Sequence, residues 1–437
     1  MQLSLPPGAV LIGALLASAC GASSPSPGDP LPYLDDPSYR RAELVASLVD
    51  PSNDYSQLRL ARYDSGGQGD WSRLPEWNPA VTPVAAAELD APGGASPDAG
   101  PTEGAALTLP SSVTSVDDPA LLALGEAAFN RYPAQAAPYL DVALVSRSAA
   151  STYGLWVDSA RGVGGLVRTK RADGSAALAV TCSTCHAGRA LDGSFRPGLP
   201  DARLDLGKAM LASPGALPGF ESPAAVGAWG PGRLDVTTLA GTEPARIADL
   251  RPVRWLSYLQ QDATVHDRDL TALAIRIETL IITSNEQAVR PPRVVALSLA
   301  VYLQSLAGAL PSLQAAAAAS PRGASVFASL CTGCHALPGL TGDPVRLATV
   351  GTDPALGLSP VRGTGAYRVP SLHGVGTRGP LLHDGTVPSL DAMFDPARVT
   401  PGFTQRLHGA GAVPGHAYGL ELPDADRAAL VAYLAGL

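Results

Sequence analysis

The sequence predicts a mainly α-helical chain of two tandem domains with long loops, preceded by a weakly structured N-terminal region. Three observations predict it. The pattern Cys-x-x-Cys-His occurs twice, at 182–186 and 331–335. Residues 246–265 match 368–387 without a gap, at a constant offset of 122 and with seven identities in twenty positions. Two stretches, 299–306 and 430–437, each place Leu, Tyr, Leu and Leu at i, i+3, i+4 and i+7, the stripe with which a helix packs on a core. A motif, a loop and a closing helix that recur in the same order mark a duplicated domain.

A chain of 437 residues exceeds one ordinary core. The 46 Gly and 41 Pro make up a fifth of it and aromatics only 5%, which predicts short helices between turn-rich loops. Lys and Arg number 31 against 39 Asp and Glu, a net charge of −8. That balance argues against nucleic acid as a partner and favours a small, basic redox protein as electron donor or acceptor.

In chain order, 1–20 hold an apolar run over 9–17, shorter than the ~20 residues of a membrane span, and read as an export signal. The run closes on Ala17-Ser18-Ala19-Cys20, similar to a bacterial lipoprotein box with Cys20 as the lipidated residue, although Ala stands where Leu is usual and no Lys or Arg precedes the run. The expectation is a periplasmic protein held to a bacterial membrane by a lipid anchor, with no later segment apolar enough to span a bilayer. Residues 21–117 read as a solvated tether, helices near 37–49 and 55–63, and an Ala/Pro-rich linker over 79–110, with no recognisable chemistry. The first domain, 118–308, opens at Asp118-Pro119, an N-cap followed by Pro at the first helical position. A linker at 309–320 leads to the second domain, 321–437, whose first helix runs straight into Cys331.

The doubled motif fits covalent haem attachment. The thiols of Cys182 and Cys185, and of Cys331 and Cys334, add across the two vinyl groups of one haem each, and His186 and His335 ligate the irons from the proximal side. The cofactors expected are therefore two covalently bound c-type haems, in cytochrome c-type domains. A closed zinc site wants four ligands, and no further cysteine is at hand besides Cys20. A thioredoxin-like dithiol sits between a strand and a helix, not between a helix and a loop.

Around these motifs the sequence resembles the bacterial di-haem cytochrome c peroxidase and MauG superfamily, including the rubber oxygenase group, over residues 118–437. "YRVPSLHGVGTRGPLLHDGTVPSLDAMF" is similar to the family's signature after the second haem motif, and so is the separation of 149 residues between Cys182 and Cys331. The resemblance implies an electron-entry haem in the second domain and a reacting haem in the first. It places the sixth ligand of the entry haem at Ala397, which cannot bind iron, so Met393 and His416 are the distal candidates, His416 in a setting similar to His-ligated relatives. In the first domain Gln261 stands where the family has Trp, Ala263 replaces Gly, and the nearest indole is Trp255. The acid/base candidates are Glu286, in loop context, and Glu278, whose neighbours Ile277 and Leu280 suggest a helix. His383 reads as a structural or electron-path residue, His266 and Met210 as the remaining conventional ligands for the first haem, and His373 and His408 as exposed.

Two functions follow as expectations. One is a peroxidase-like oxidoreductase that reduces peroxide or oxygen at the first haem with electrons arriving through the second. The other is a non-enzymatic periplasmic electron-transfer protein with both haems six-coordinate.

Overall fold

The computed structural model describes residues 28–63, 71–95, 104–190, 193–213, 223–235 and 243–437, so the apolar run and Cys20 lie outside the described residues. The N-terminal region begins with α1 (Pro32–Asp35), α2 (Pro37–Ser47) and α3 (Asp54–Arg62), the last two capped by the side chains of Asp36 and Asn53. The first domain runs through α4 (Pro119–Arg131), α5 (Arg147–Thr152), α6 (Cys182–His186), α7 (Leu206–Ala212), α8 (Pro223–Gly227), α9 (Leu270–Ser284) and α10 (Arg293–Ser305). There follow α11 (Leu313–Ala319), α12 (Pro321–Leu330), α13 (Leu347–Val350), α14 (Ala355–Leu358), α15 (Leu390–Met393) and α16 (Asp424–Ala435). Sheet is sparse. The largest is four-stranded and antiparallel, in the order Thr82–Pro83, Val167–Lys170, Ala176–Val180 and Gln135–Ala136.

Each domain lays a leading helix across a closing helix, and a glycine sets how close they come. A Cβ on Gly125 of α4 would stand 2.0 Å from the Ser298 carbonyl oxygen of α10, and one on Gly323 of α12 would stand 2.0 Å from that of Ala429 in α16. One turn further on, Phe129 meets Tyr302 and Phe327 meets Tyr433, each pair at 5.3 Å between ring centroids. The expected Tyr302 and Tyr433 stripes are thus the closing halves of one repeated contact.

The repeat also joins the domains to each other. Arg246 donates its backbone N–H to the His383 carbonyl at 3.0 Å and its Nε to that of Leu382 at 3.0 Å. Arg368, the equivalent residue at the offset of 122, donates N–H to the Gln261 carbonyl and Nε to that of Gln260, both at 2.9 Å. Gln260 and Gln261 are themselves the equivalents of Leu382 and His383, so the two copies clasp each other reciprocally, as a two-fold axis would relate them. Gln260 (φ 64°) and Leu382 (φ 68°) both take the left-handed conformation that this exchange requires.

The N-terminal region is more structured than its composition suggests, because it supplies core. Tyr33, Leu44, Tyr55, Tyr63 and Trp71 are buried in one cluster with α4, α9 and α10, and a fully buried large apolar side chain contributes ~1.5–3 kcal/mol. Within the expected linker over 79–110, Val84 and Leu89 are buried and Thr82 pairs with Arg168. The same region reaches the second domain, where Tyr55 N–H donates to the Val361 carbonyl at 2.7 Å. The segment expected as a linker at 309–320 carries α11, whose Ala316 belongs to the core of the second domain. One later run, Arg293–Ala319, is by length and composition apolar enough to cross a membrane, contrary to expectation. Its α10 portion is core, with Val295, Leu297, Leu299 and Ala300 buried against α4 and α9.

Candidate haem sites

In the second domain α12 passes into the motif without a break. Cys331 N–H donates to the Phe327 carbonyl at 2.9 Å and His335 N–H to that of Cys331 at 2.8 Å, so Cys331, Cys334 and His335 share one face of a helical turn. His335 Nδ1 lies 3.0 Å from the Leu340 carbonyl oxygen. A carbonyl only accepts, so Nδ1 carries the proton and Nε2 keeps its lone pair. Burial lowers this imidazole to about 4, which leaves the ring neutral at pH 7, the form that binds metal.

The turn faces a cavity of about 300 Å³ whose wall also carries His416, Met393 and His383. Both distal candidates are therefore brought to the same space as His335. One buried side chain holds them there: Arg398 donates Nε to the Met393 carbonyl at 3.1 Å and its terminal nitrogens to Val413 at 2.7 Å and to Gly415 and His416 at 3.1 Å. His416 Nδ1 is buried and finds no hydrogen-bond partner among the described residues. Burial first, and then the neighbouring His335 ring, lower His416 to about 4. Ala397 sits in the 3-10 turn Pro396–Val399, beside Arg398.

In the first domain α6 carries the whole motif. Cys182 packs against the cluster of α4, α9 and α10, whereas Cys185 packs against the cluster containing Leu140, Met210 and Trp229, so the turn lies in the seam between two cores. His186 Nδ1 bonds the Ala248 carbonyl at 2.9 Å, and burial lowers the ring to about 4, as for His335. Pro370, the repeat equivalent of Ala248, also offers its carbonyl to His335. Burial pushes the Cys182 and Cys185 thiols up to about 12 and Cys331 up to about 11. A redox-active dithiol needs the opposite shift.

The acid/base candidates separate. Glu278 in α9 is completely buried, its Oε2 accepting from the hydroxyls of Tyr33 and Tyr63 at 2.8 Å each and its Oε1 3.4 Å from Arg293 Nε. Glu286 has a side chain 84% exposed and pairs loosely with Arg171 at 3.6 Å, so it stands in solvent. A carboxyl that the sequence reading passed over, Asp201, adjoins the first motif. Its N–H donates to the Cys185 carbonyl at 2.8 Å, its Oδ2 is buried without a partner among the described residues, and burial raises its pKa. No pattern in the sequence singles it out.

His266 is half-buried and stacked on Tyr258 at 4.9 Å, and Met210 is buried in the cluster that Cys185 packs against. His383 stacks on Tyr367 at 4.0 Å. His373, expected to be exposed, is buried: it stacks on Trp255 of the first domain at 3.9 Å and bonds the Pro338 carbonyl through Nε2 at 2.9 Å. His408, also expected to be exposed, is half-buried.

Two thiols and a neutral, carbonyl-oriented imidazole on one helical turn are the donor set for a covalently attached haem, and both turns present it. Cys182, Cys185 and His186 would hold one haem, and Cys331, Cys334 and His335 the other. Among the described residues no group of three His, Cys, Asp or Glu side chains is placed to hold a bare metal ion.

The fold and the two turns define a mainly helical, two-domain chain fitted for two haems. No protein-family model and no curated protein matches it. A solved structure, that of the diheme peroxidase BthA from Burkholderia thailandensis E264, matches with a TM-score of 0.37 and 16% identity over 83% of this chain and 93% of that chain. A likeness of that degree does not carry an activity from one protein to the other.

Proposed function

We propose that the chain is a di-haem c-type cytochrome in which electrons pass between two covalently bound haems, and that it reduces peroxide or oxygen at the haem of the first domain. The observation that carries this reading is the identical treatment of His186 and His335. Each ring is neutral, and each is fixed by a backbone carbonyl on Nδ1 with Nε2 left for a metal. When bound, haem supplies one-electron chemistry and, on an open face, a place for a small oxidant. The protein supplies attachment, orientation and access. His416, which lines the cavity beside His335 and has a ring nitrogen without a partner among the described residues, caps the second haem, with Met393 as the other group in reach. Trp255 stacked on His373 gives the domains an aromatic contact beside the second motif, three residues past His335 at Pro338.

The test is carbon monoxide binding to the fully reduced protein, after a pyridine haemochrome assay has counted the haems. Two haems and one carbon monoxide per chain are expected, rising to two carbon monoxides in His416→Ala. If neither haem of the wild-type protein takes up carbon monoxide, both irons are capped and the electron-relay function replaces the reductase. If no haem is found, the whole reading falls.

A further inference from the structure

The cavity beside His335 has a positive wall that neither attachment nor axial ligation uses. Arg246, Arg368 and Arg378 all line it, and all three are at least nine-tenths buried. Arg246 Nη1 and Arg378 Nε have no hydrogen-bond partner among the described residues. One donor of each is held by a backbone carbonyl, Arg246 Nε by Leu382, Arg368 Nε by Gln260 at 2.9 Å and Arg378 Nη1 by Ser371 at 2.9 Å, and Arg368 Nη2 lies 3.5 Å from the Gln261 side-chain oxygen.

The neighbouring carboxylates do not balance this charge. Asp249 is taken by Arg251, with nitrogen–oxygen distances of 3.0 and 2.7 Å, and Asp262 by Arg362 at 3.2 Å. Burial raises Asp267 to about 8, so it is protonated at pH 7. That leaves Asp384, which accepts from the backbone and hydroxyl of Thr386, against the three guanidinium groups. Burial first, then Arg378 and Arg368, depress Arg246 to about 9, and Asp249 and Asp384 offset them only in part. A buried, unbalanced charge is unfavourable, and a carboxylate accepting from planar guanidinium groups relieves it.

We propose that Arg246, Arg368 and Arg378 bind the propionate carboxylates of the haem attached at 331–335. This rests on the reading that haem binds there. Its consequence is that the second haem site is completed by the first domain, because Arg246 lies in 118–308 while the thiols and His335 lie in 321–437. Reciprocal clasping of the domains and charge neutralisation of the haem are then the work of the same side chain.

The experiment compares haem potentials, by spectroelectrochemistry on the two-haem protein, in wild type, Arg246→Met, Arg378→Met and Arg246→Lys. Removing a cation beside the propionates favours the oxidised haem. The second haem's potential should therefore shift down in both Met variants, stay near wild type in the Lys variant, and leave the first haem's potential unchanged. Unchanged potentials in both Met variants, with both haems bound, overturn the proposal. A potential that follows added phosphate places a free anion at the cluster and also overturns it. If the Met variants fail to retain the second haem, the propionate bending band in resonance Raman of the wild-type protein decides: a hydrogen-bonded frequency supports the proposal, and a water-exposed one ends it.

Discussion

Glu278 and Glu286 show what a residue type means once its surroundings are fixed. Glu278 lies within α9 and Glu286 two residues past its end, yet one is sealed under two phenols and the other stands in solvent. Tyr33 and Tyr63 lie 245 and 215 residues from Glu278 in the chain, so their role was not legible in local sequence. The flanking Ile277 and Leu280 announced only a helix. A hydrogen bond to a buried acceptor is worth ~1–3 kcal/mol when its donor is removed, whereas an exposed, loosely paired carboxylate contributes at most ~0.5 kcal/mol. Tyr33→Phe should therefore lower stability by ~1–3 kcal/mol while Glu286→Gln leaves it within ~0.5 kcal/mol. Urea unfolding followed by circular dichroism reads both, and equal effects from the two variants would refute the structural role given to Glu278.

At the scale of elements, the repeat was the most legible feature, and its turn shows how a departure in sequence can keep a conformation. The isolated bridge between Leu381 and Val387 in the second domain has its equivalent in the pairing of Leu259 with Val265 in the first. Within that turn Gly385 has φ 70° and Ala263, its equivalent, has φ 55°. The backbone thus keeps a left-handed residue where the sequence has lost the glycine that suits it. Alanine in that region costs ~1–2 kcal/mol, partly offset because glycine loses more freedom on folding. Ala263→Gly should raise stability by ~0.5–1 kcal/mol, read as a higher urea midpoint at unchanged slope. A lower midpoint would mean that the alanine methyl, fully buried here, contributes more by packing than the turn costs. The helical turns at the two Cys-x-x-Cys-His motifs were expected from spacing, whereas the strand Ala176–Val180 that leads into the first was not. The reciprocal arginine bonds were not, since identities at an offset say that two copies fold alike and not that they clasp each other.

Over the whole molecule, the junction of the two domains is held by buried polar groups whose charge the fold controls, and this makes stability depend on pH. His408 reports it without being a haem ligand candidate. Its ring lies 3.1 Å from where a Cβ on Gly230 of the first domain would stand, and its Nε2 is buried without a partner among the described residues. Burial first, then the Arg233 charge, lower it from 6.5 to about 4, with Arg406 acting the same way and Asp384 opposing. A histidine whose folded pKa is depressed binds its proton more readily in the unfolded chain. Stability from keeping His408 neutral is therefore fully present above pH ~6.5 and is lost as pH falls from there towards 4. His408→Gln should lose less stability than wild type between pH 7.5 and 5, measured by urea midpoints on the two proteins prepared alike. Identical losses in the two proteins would show that the ring takes up its proton alike in the folded and unfolded chains, and that the junction tolerates a charge where burial and Arg233 oppose one.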